Sequence, residues 1–117
     1  MHQTRSTEHR HALRRDPSGV LTSEMEGSLA RGAQLDVWGS AIADEASMTV
    51  WRGARRRWAS ATTRLLASEF EAEAVAEFAR AIDLRGGQTW QERLQVELAA
   101  TRNGLELLRL LAGTLRG

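Results

Sequence analysis

Residues Trp90–Leu115 read WQERLQVELAATRNGLELLRLLAGTL. Within them Trp90, Leu94, Leu98, Thr101, Leu105, Leu108, Ala112 and Leu115 recur at intervals of 4, 4, 3, 4, 3, 4 and 3. That alternation of threes and fours, averaging about 3.6, is the pattern of an apolar seam packed between helices. Leu107, Leu110 and Leu111 widen the seam until only a narrow polar stripe remains, formed by Arg102, Glu106, Arg109, Gly113 and Arg116. A helix so rich in leucine is predicted to lie at the centre of a bundle, with a dimer interface as the alternative for part of it. Its start is marked by Thr89 and Glu92, which have capping-box spacing, and this places Trp90 first in the helix. Just upstream, Arg85-Gly86-Gly87 is a stop signal for a preceding helix, with glycine available for a left-handed C-cap.

Working back from that stop, Leu66, Phe70, Ala74, Phe78 and Ala81 with Ile82 form an apolar set at nearly fourfold spacing. Before it, a helix beginning around Met48 carries Trp51, Trp58, Ala61 and Leu65 on a differently rotated face. The change of face predicts a break near Ser68, where Ser68 and Glu71 have capping-box spacing. The first helix is predicted to start near Thr22 or Ser23, with Ser23 and Glu26 as its capping box and Leu21 as the staple. Leu21, Met25, Leu29, Ala33, Val37 and Ala41 then give it one apolar face. Gly27, Gly32 and Gly39 weaken it by about 1 kcal/mol each relative to alanine, but small residues also let helices approach closely.

Residues 1–19 lack apolar periodicity, hold four arginines and all three histidines, and close on Asp16-Pro17-Ser18-Gly19. They are read as a flexible basic arm ahead of a single domain at 20–117. With 117 residues and one proline, the expected fold is all-α, a small bundle of three to four helices with a disordered N-terminal arm. No apolar run is long enough for a membrane span, and no secretory signal pattern is present, so a soluble, cytoplasmic protein is expected.

The chemistry of the side chains argues against an enzyme. There is no cysteine, lysine or tyrosine, and no histidine beyond His11, so the usual nucleophiles and general bases are missing. No cofactor site is expected, because no glycine-rich phosphate loop is present. No metal site is expected either: His2, His9 and His11 sit in the arm without a carboxylate-backed pair at helical spacing.

All sixteen basic residues are arginine, a bias that fits a GC-rich bacterial genome, and the net charge is only +1. Charge is nevertheless patterned. Arg52 to Arg64 contains five arginines and no acid, and Arg52, Arg55 and Arg56 share one side of a helix flanked by Trp51 and Trp58. Tryptophan and arginine are the residue types most enriched at binding hot spots, which makes these five the candidate partner-binding residues. Core filling is the alternative for the two tryptophans. Glu69, Glu73 and Glu77 follow at fourfold spacing, a like-charged ridge that suggests a basic partner; the arginine segment is the obvious one, within the chain or across a subunit contact, and two separately solvated helix faces are the alternative. The expected function is a non-catalytic helical module for protein–protein interaction: an adaptor, regulator or assembly subunit, with homodimerisation as one form of contact. A nucleic-acid-binding regulator using Arg52–Arg64 is the alternative.

Trp51-Arg52-Gly53, with Ala54, Trp58 and Leu65 downstream, is similar to the Trp-x-Gly turn of the small helical hairpins exported by actinobacterial type VII secretion. The resemblance covers Leu29 to Ile82. It implies a turn at the tripeptide and secretion as a helical homo- or heterodimer. The chain departs from that pattern in its arginine run, its extra C-terminal helix and its lack of tyrosine.

Overall fold

The computed structural model describes residues 19–116, and among them the secondary structure is four helices: α1 (Gly19–Ser40), α2 (Glu45–Glu69), α3 (Ala72–Ile82) and α4 (Trp90–Arg116). The all-α bundle is as expected; Gly19, expected to close the arm, opens α1 instead, and the other expectations for the arm and its histidines lie outside the described residues. One cluster of buried side chains draws on all four helices. Helix α4 packs against each of the others, most extensively against α1, so its leucine seam is central to the bundle. Leu94, Leu98, Thr101, Leu105, Leu108, Leu111 and Ala112 are buried as the seam predicts, whereas Leu110 is exposed.

Helix α1 differs from its sequence reading in both start and face. It begins at Gly19 and runs unbroken through Ser23, so no cap forms there. Its buried positions are Leu21, Met25, Ser28, Gly32, Leu35 and Gly39, at intervals of 4, 3, 4, 3 and 4. The fourfold series through Ala33, Val37 and Ala41 leads to the surface, and Val37 is 74% exposed. A strict fourfold repeat drifts by about 40° per step around a helix, so it cannot stay on one face for five steps.

The glycines on that buried face receive the tryptophans of α2. Trp58 donates its indole N–H to the carbonyl of Ser28 at 2.8 Å, and Trp51 donates to the carbonyl of Leu35, also at 2.8 Å. A Cβ at Gly32 would lie 2.7 Å from the Trp58 ring and 2.5 Å from Leu105; one at Gly39 would lie 2.9 Å from Trp51 and 2.5 Å from Leu98. The two layers repeat seven residues apart on all three helices, with numbering that falls on α2 and α4 as it rises on α1, so α1 is antiparallel to both. Between α1 and α2, Ser28 and Thr62 also share a buried hydroxyl contact of 2.6 Å.

Helix α2 starts three residues before Met48. Asp44 is its N-cap, in extended conformation, and its carboxylate accepts the Ser47 N–H at 2.7 Å. Trp51-Arg52-Gly53 therefore lies inside a helix, and the reversal between α1 and α2 is made by residues 41–44. The turn implied by the Trp-x-Gly resemblance is overturned by that placement. The break expected near Ser68 occurs two residues later: Phe70 is extended and fully buried, and Glu71 caps α3 without a side-chain bond. Ser68 instead turns its hydroxyl back to the Leu65 carbonyl at 3.0 Å. Helix α3 stops at Ile82, so Gly86 and Gly87, with φ of +140° and +100°, belong to the following loop and are not a C-cap. At Gly87 a Cβ would meet the Arg93 nitrogen at 2.6 Å, which lets the loop press against the first turn of α4. The capping box of α4 forms as expected: Thr89 Oγ1 accepts the Glu92 N–H at 3.1 Å, and Glu92 accepts from Gln88 at 2.7 Å and Thr89 at 3.3 Å.

Candidate binding surfaces

Successive residues of a helix are separated by about 100°, so three consecutive arginines cannot share a face. The run Arg55-Arg56-Arg57 is divided accordingly. Arg55 and Arg56, with Arg52 one turn earlier, line a cleft against α4 and the α3–α4 loop, while Arg57 lines a groove against α1. The arginine segment does not present one continuous basic stripe.

In the cleft, Arg52 grips Glu97 of α4 through Nε and Nη2, at 2.8 and 2.7 Å from the same carboxylate oxygen. Arg55 reaches the other oxygen at 3.4 Å. The Arg55 and Glu97 side chains are each only 14% exposed, so this three-member cluster is held with little freedom. Glu97, and not the Glu69, Glu73, Glu77 series, is the acidic counterpart of Arg52 and Arg55. The series is also divided: Glu69 is the last residue of α2, while Glu73 and Glu77 belong to α3, beyond the reversal at Phe70 and Glu71. It is not a ridge on one helix.

Trp51 and Trp58 are buried, with 0% and 3% of their surface exposed. Their hydrogen-bonding ends and ring edges are spent on α1, and Trp58 also meets Phe78 edge-on with ring centroids 5.8 Å apart. Core filling is thus the role of both; Trp51 is fully enclosed, while the small exposed part of Trp58 lies in the groove between α1 and α2.

The groove on the other side of α2 has a volume of about 410 Å³. Arg31, Gln34 and Trp38 of α1 form one wall, and Ala54, Arg57 and Ala61 of α2 form the other. Trp38 is 40% exposed, and Val50 is exposed on the adjoining turn of α2. Arg31 and Ala61 also line a second depression that runs on toward Ser23 and Leu65, so the two form one furrow along α1 and α2. The arginine segment contained Arg57, but Trp38 and Arg31 were missed in the sequence. The available signal was Trp38 itself, which follows Leu35 by three and falls beside the buried seam rather than on it.

Among the described residues, no three histidine, cysteine, aspartate or glutamate side chains come together as a metal site would require, and no helix is long and apolar enough to cross a membrane. No protein family, curated protein or solved structure matches the chain.

Proposed function

We propose that this chain is a non-catalytic helical module that binds another protein, seating a partner helix in the furrow between α1 and α2. The observation that carries this reading is Trp38, a large aromatic side chain left 40% exposed on the wall of a groove whose opposite wall includes Ala54 and Ala61. Alanines at 54 and 61 leave room for a helix to approach, and an amphipathic helix laid in such a groove is a recurrent mode of recognition. Arg31 lines the α1 wall and Arg57 the α2 wall, which favours a partner carrying acidic residues beside its apolar stripe. Glu24 is the one acidic residue lining the furrow, against Arg31 and Arg57, so its charge favours an acidic partner over a second copy of the same face. An adaptor, a regulator and an assembly subunit all use this mode.

The test compares three immobilised forms of the full chain in an extract of the native host: wild type, Trp38→Ala with Arg57→Glu, and Arg109→Glu as a charge-changed control on α4. A protein recovered stoichiometrically by wild type and the control, lost with the groove variant, and shown by reconstitution to bind directly through an acidic helix is the expected result. Equal recovery by all three, or recovery only of nucleic acid with affinity that falls steeply between about 50 and 200 mM salt, overturns the proposal.

A further inference from the structure

Helix α3 has 11 residues where its neighbours have 22 to 27, so it covers only part of the side of the bundle between α2 and α4. Beyond its end at Ile82 the two longer helices continue with the α3–α4 loop across them. The space left is the arginine cleft, of about 390 Å³, within the roughly 300–1,000 Å³ of small-molecule sites. Its charge is unbalanced. Arg52, Arg55 and Arg56 come from α2, Arg85 from the loop and Arg93 from α4, against Asp83 and Glu97 alone. Arg85 pairs with Asp83 at 2.9 Å and Glu97 serves Arg52 and Arg55 together, while Arg56 makes no ion pair among the described residues. Arg93 spends one donor on the Gln88 carbonyl at 3.2 Å and keeps its charge.

We infer that this cleft binds the phosphoryl group of a small phosphorylated molecule. Guanidiniums supplied by two helices and a loop approach from different directions, which suits a tetrahedral anion with several acceptor oxygens better than a planar carboxylate. Glu97 fixes the guanidiniums of Arg52 and Arg55 beforehand, so less side-chain freedom is lost when the anion arrives. The rest of the wall is apolar: Ile82, Val96 and the partly exposed Leu84 offer contact to a body attached to the phosphate. A concave site bracketed by two carboxylates admits a compact ligand and repels the neighbouring charges of a polymer. No residue of this cleft lines the α1–α2 groove, so the inference stands independently of the protein-binding proposal.

The experiment titrates the full chain with phenyl phosphate, inorganic phosphate, benzoate and a random-sequence single-stranded DNA, at constant ionic strength, by calorimetry and by NMR of the arginine Nε–H signals. Saturable binding of phenyl phosphate is expected, stronger than that of inorganic phosphate or benzoate, with the Arg56 and Arg93 signals shifting. Arg56→Gln with Arg93→Gln is expected to weaken it at least tenfold while keeping the wild-type melting temperature; Arg109→Gln is expected to leave it unchanged. Should the double variant unfold, the single variant Arg56→Gln, whose side chain makes no ion pair among the described residues, is expected to lose affinity severalfold. Failure of phenyl phosphate to saturate, equal loss in Arg109→Gln, or saturation by DNA alone would each overturn the inference. Loss of partner capture by the groove variant has no bearing on these readouts.

Discussion

Adding one methyl group to a helical glycine should change sign with position in this protein. In the interior of a helix, alanine is favoured over glycine by about 1 kcal/mol through backbone entropy alone. At Gly53 the new Cβ would sit 3.7 Å from the Arg57 guanidinium, an ordinary contact, so Gly53→Ala is expected to stabilise the chain by about 1 kcal/mol. At Gly32 the same atom would lie 2.5 Å from Leu105 Cδ2 and 2.7 Å from the Trp58 ring, where carbon atoms normally rest about 3.5–4.0 Å apart. Leucine can rotate, but the indole is rigid and its N–H is tied to Ser28 at 2.8 Å. Overpacking of this kind costs about 1–3 kcal/mol, and a stretched buried hydrogen bond adds about 1 kcal/mol. Gly32→Ala, and Gly39→Ala for the same reason, are therefore expected to destabilise by a net 1–3 kcal/mol or so after the helix gain is counted. Urea unfolding followed by tryptophan fluorescence gives the differences, provided the denaturant slopes stay equal. If Gly32→Ala were as stabilising as Gly53→Ala, the close approach of α1 to α2 and α4 would be wrong. If Gly53→Ala were strongly destabilising, position 53 would not be helical.

Leu108→Glu buries an unpaired carboxylate at the fully enclosed centre of α4 and is expected to cost on the order of 3–5 kcal/mol, read as a lost or sharply lowered melting transition. Glu97→Gln removes the shared partner of two half-buried arginines; a loss of about 1–2 kcal/mol by urea titration is expected, between the values for exposed and fully buried pairs. N–H donors from Gln88 and then Thr89 hold the Glu92 carboxyl below the usual glutamate range. Its contribution to stability is thus fully present above the unfolded-state pKa and is lost as pH falls through the lower folded-state value. Glu92→Gln should accordingly flatten the acid limb of a stability-against-pH curve and leave the slope near neutrality unchanged.

The parts of the fold legible in the sequence were those driven by large apolar side chains or by capping chemistry. Leucines in α4 mark their own seam, and Thr89 with Glu92 is a cap whose atoms all lie within four residues. Helix α1 was harder because its buried face includes Ser28, Gly32 and Gly39, which count as polar or neutral and become interior only through the side chains that α2 and α4 bring to them. Its surface face, by contrast, offered Ala33, Val37 and Ala41. The reversal at Phe70 and Glu71 was announced by a change of apolar face, yet its position depended on where Phe70 could be buried. For the binding surfaces, the arginines were visible as a group but their separation onto two faces follows from helix geometry, and the choice of Glu97 as counterion rests on the packing of α2 against α4, 45 residues apart in sequence.

The tryptophan–glycine layers also constrain how this sequence can change over time. Each layer is written in two distant places, a ring on α2 and a missing side chain on α1. Replacing the glycine first drives a methyl group into the ring; shrinking the tryptophan first opens a void and leaves a carbonyl without its second donor. Either order passes through a less stable intermediate, so drift should seldom separate the two members. Descendants of this chain are expected to keep tryptophan and glycine together at each layer, or to have exchanged both, and a lineage rich in one without the other would show that the layers tolerate far more adjustment than their spacing implies.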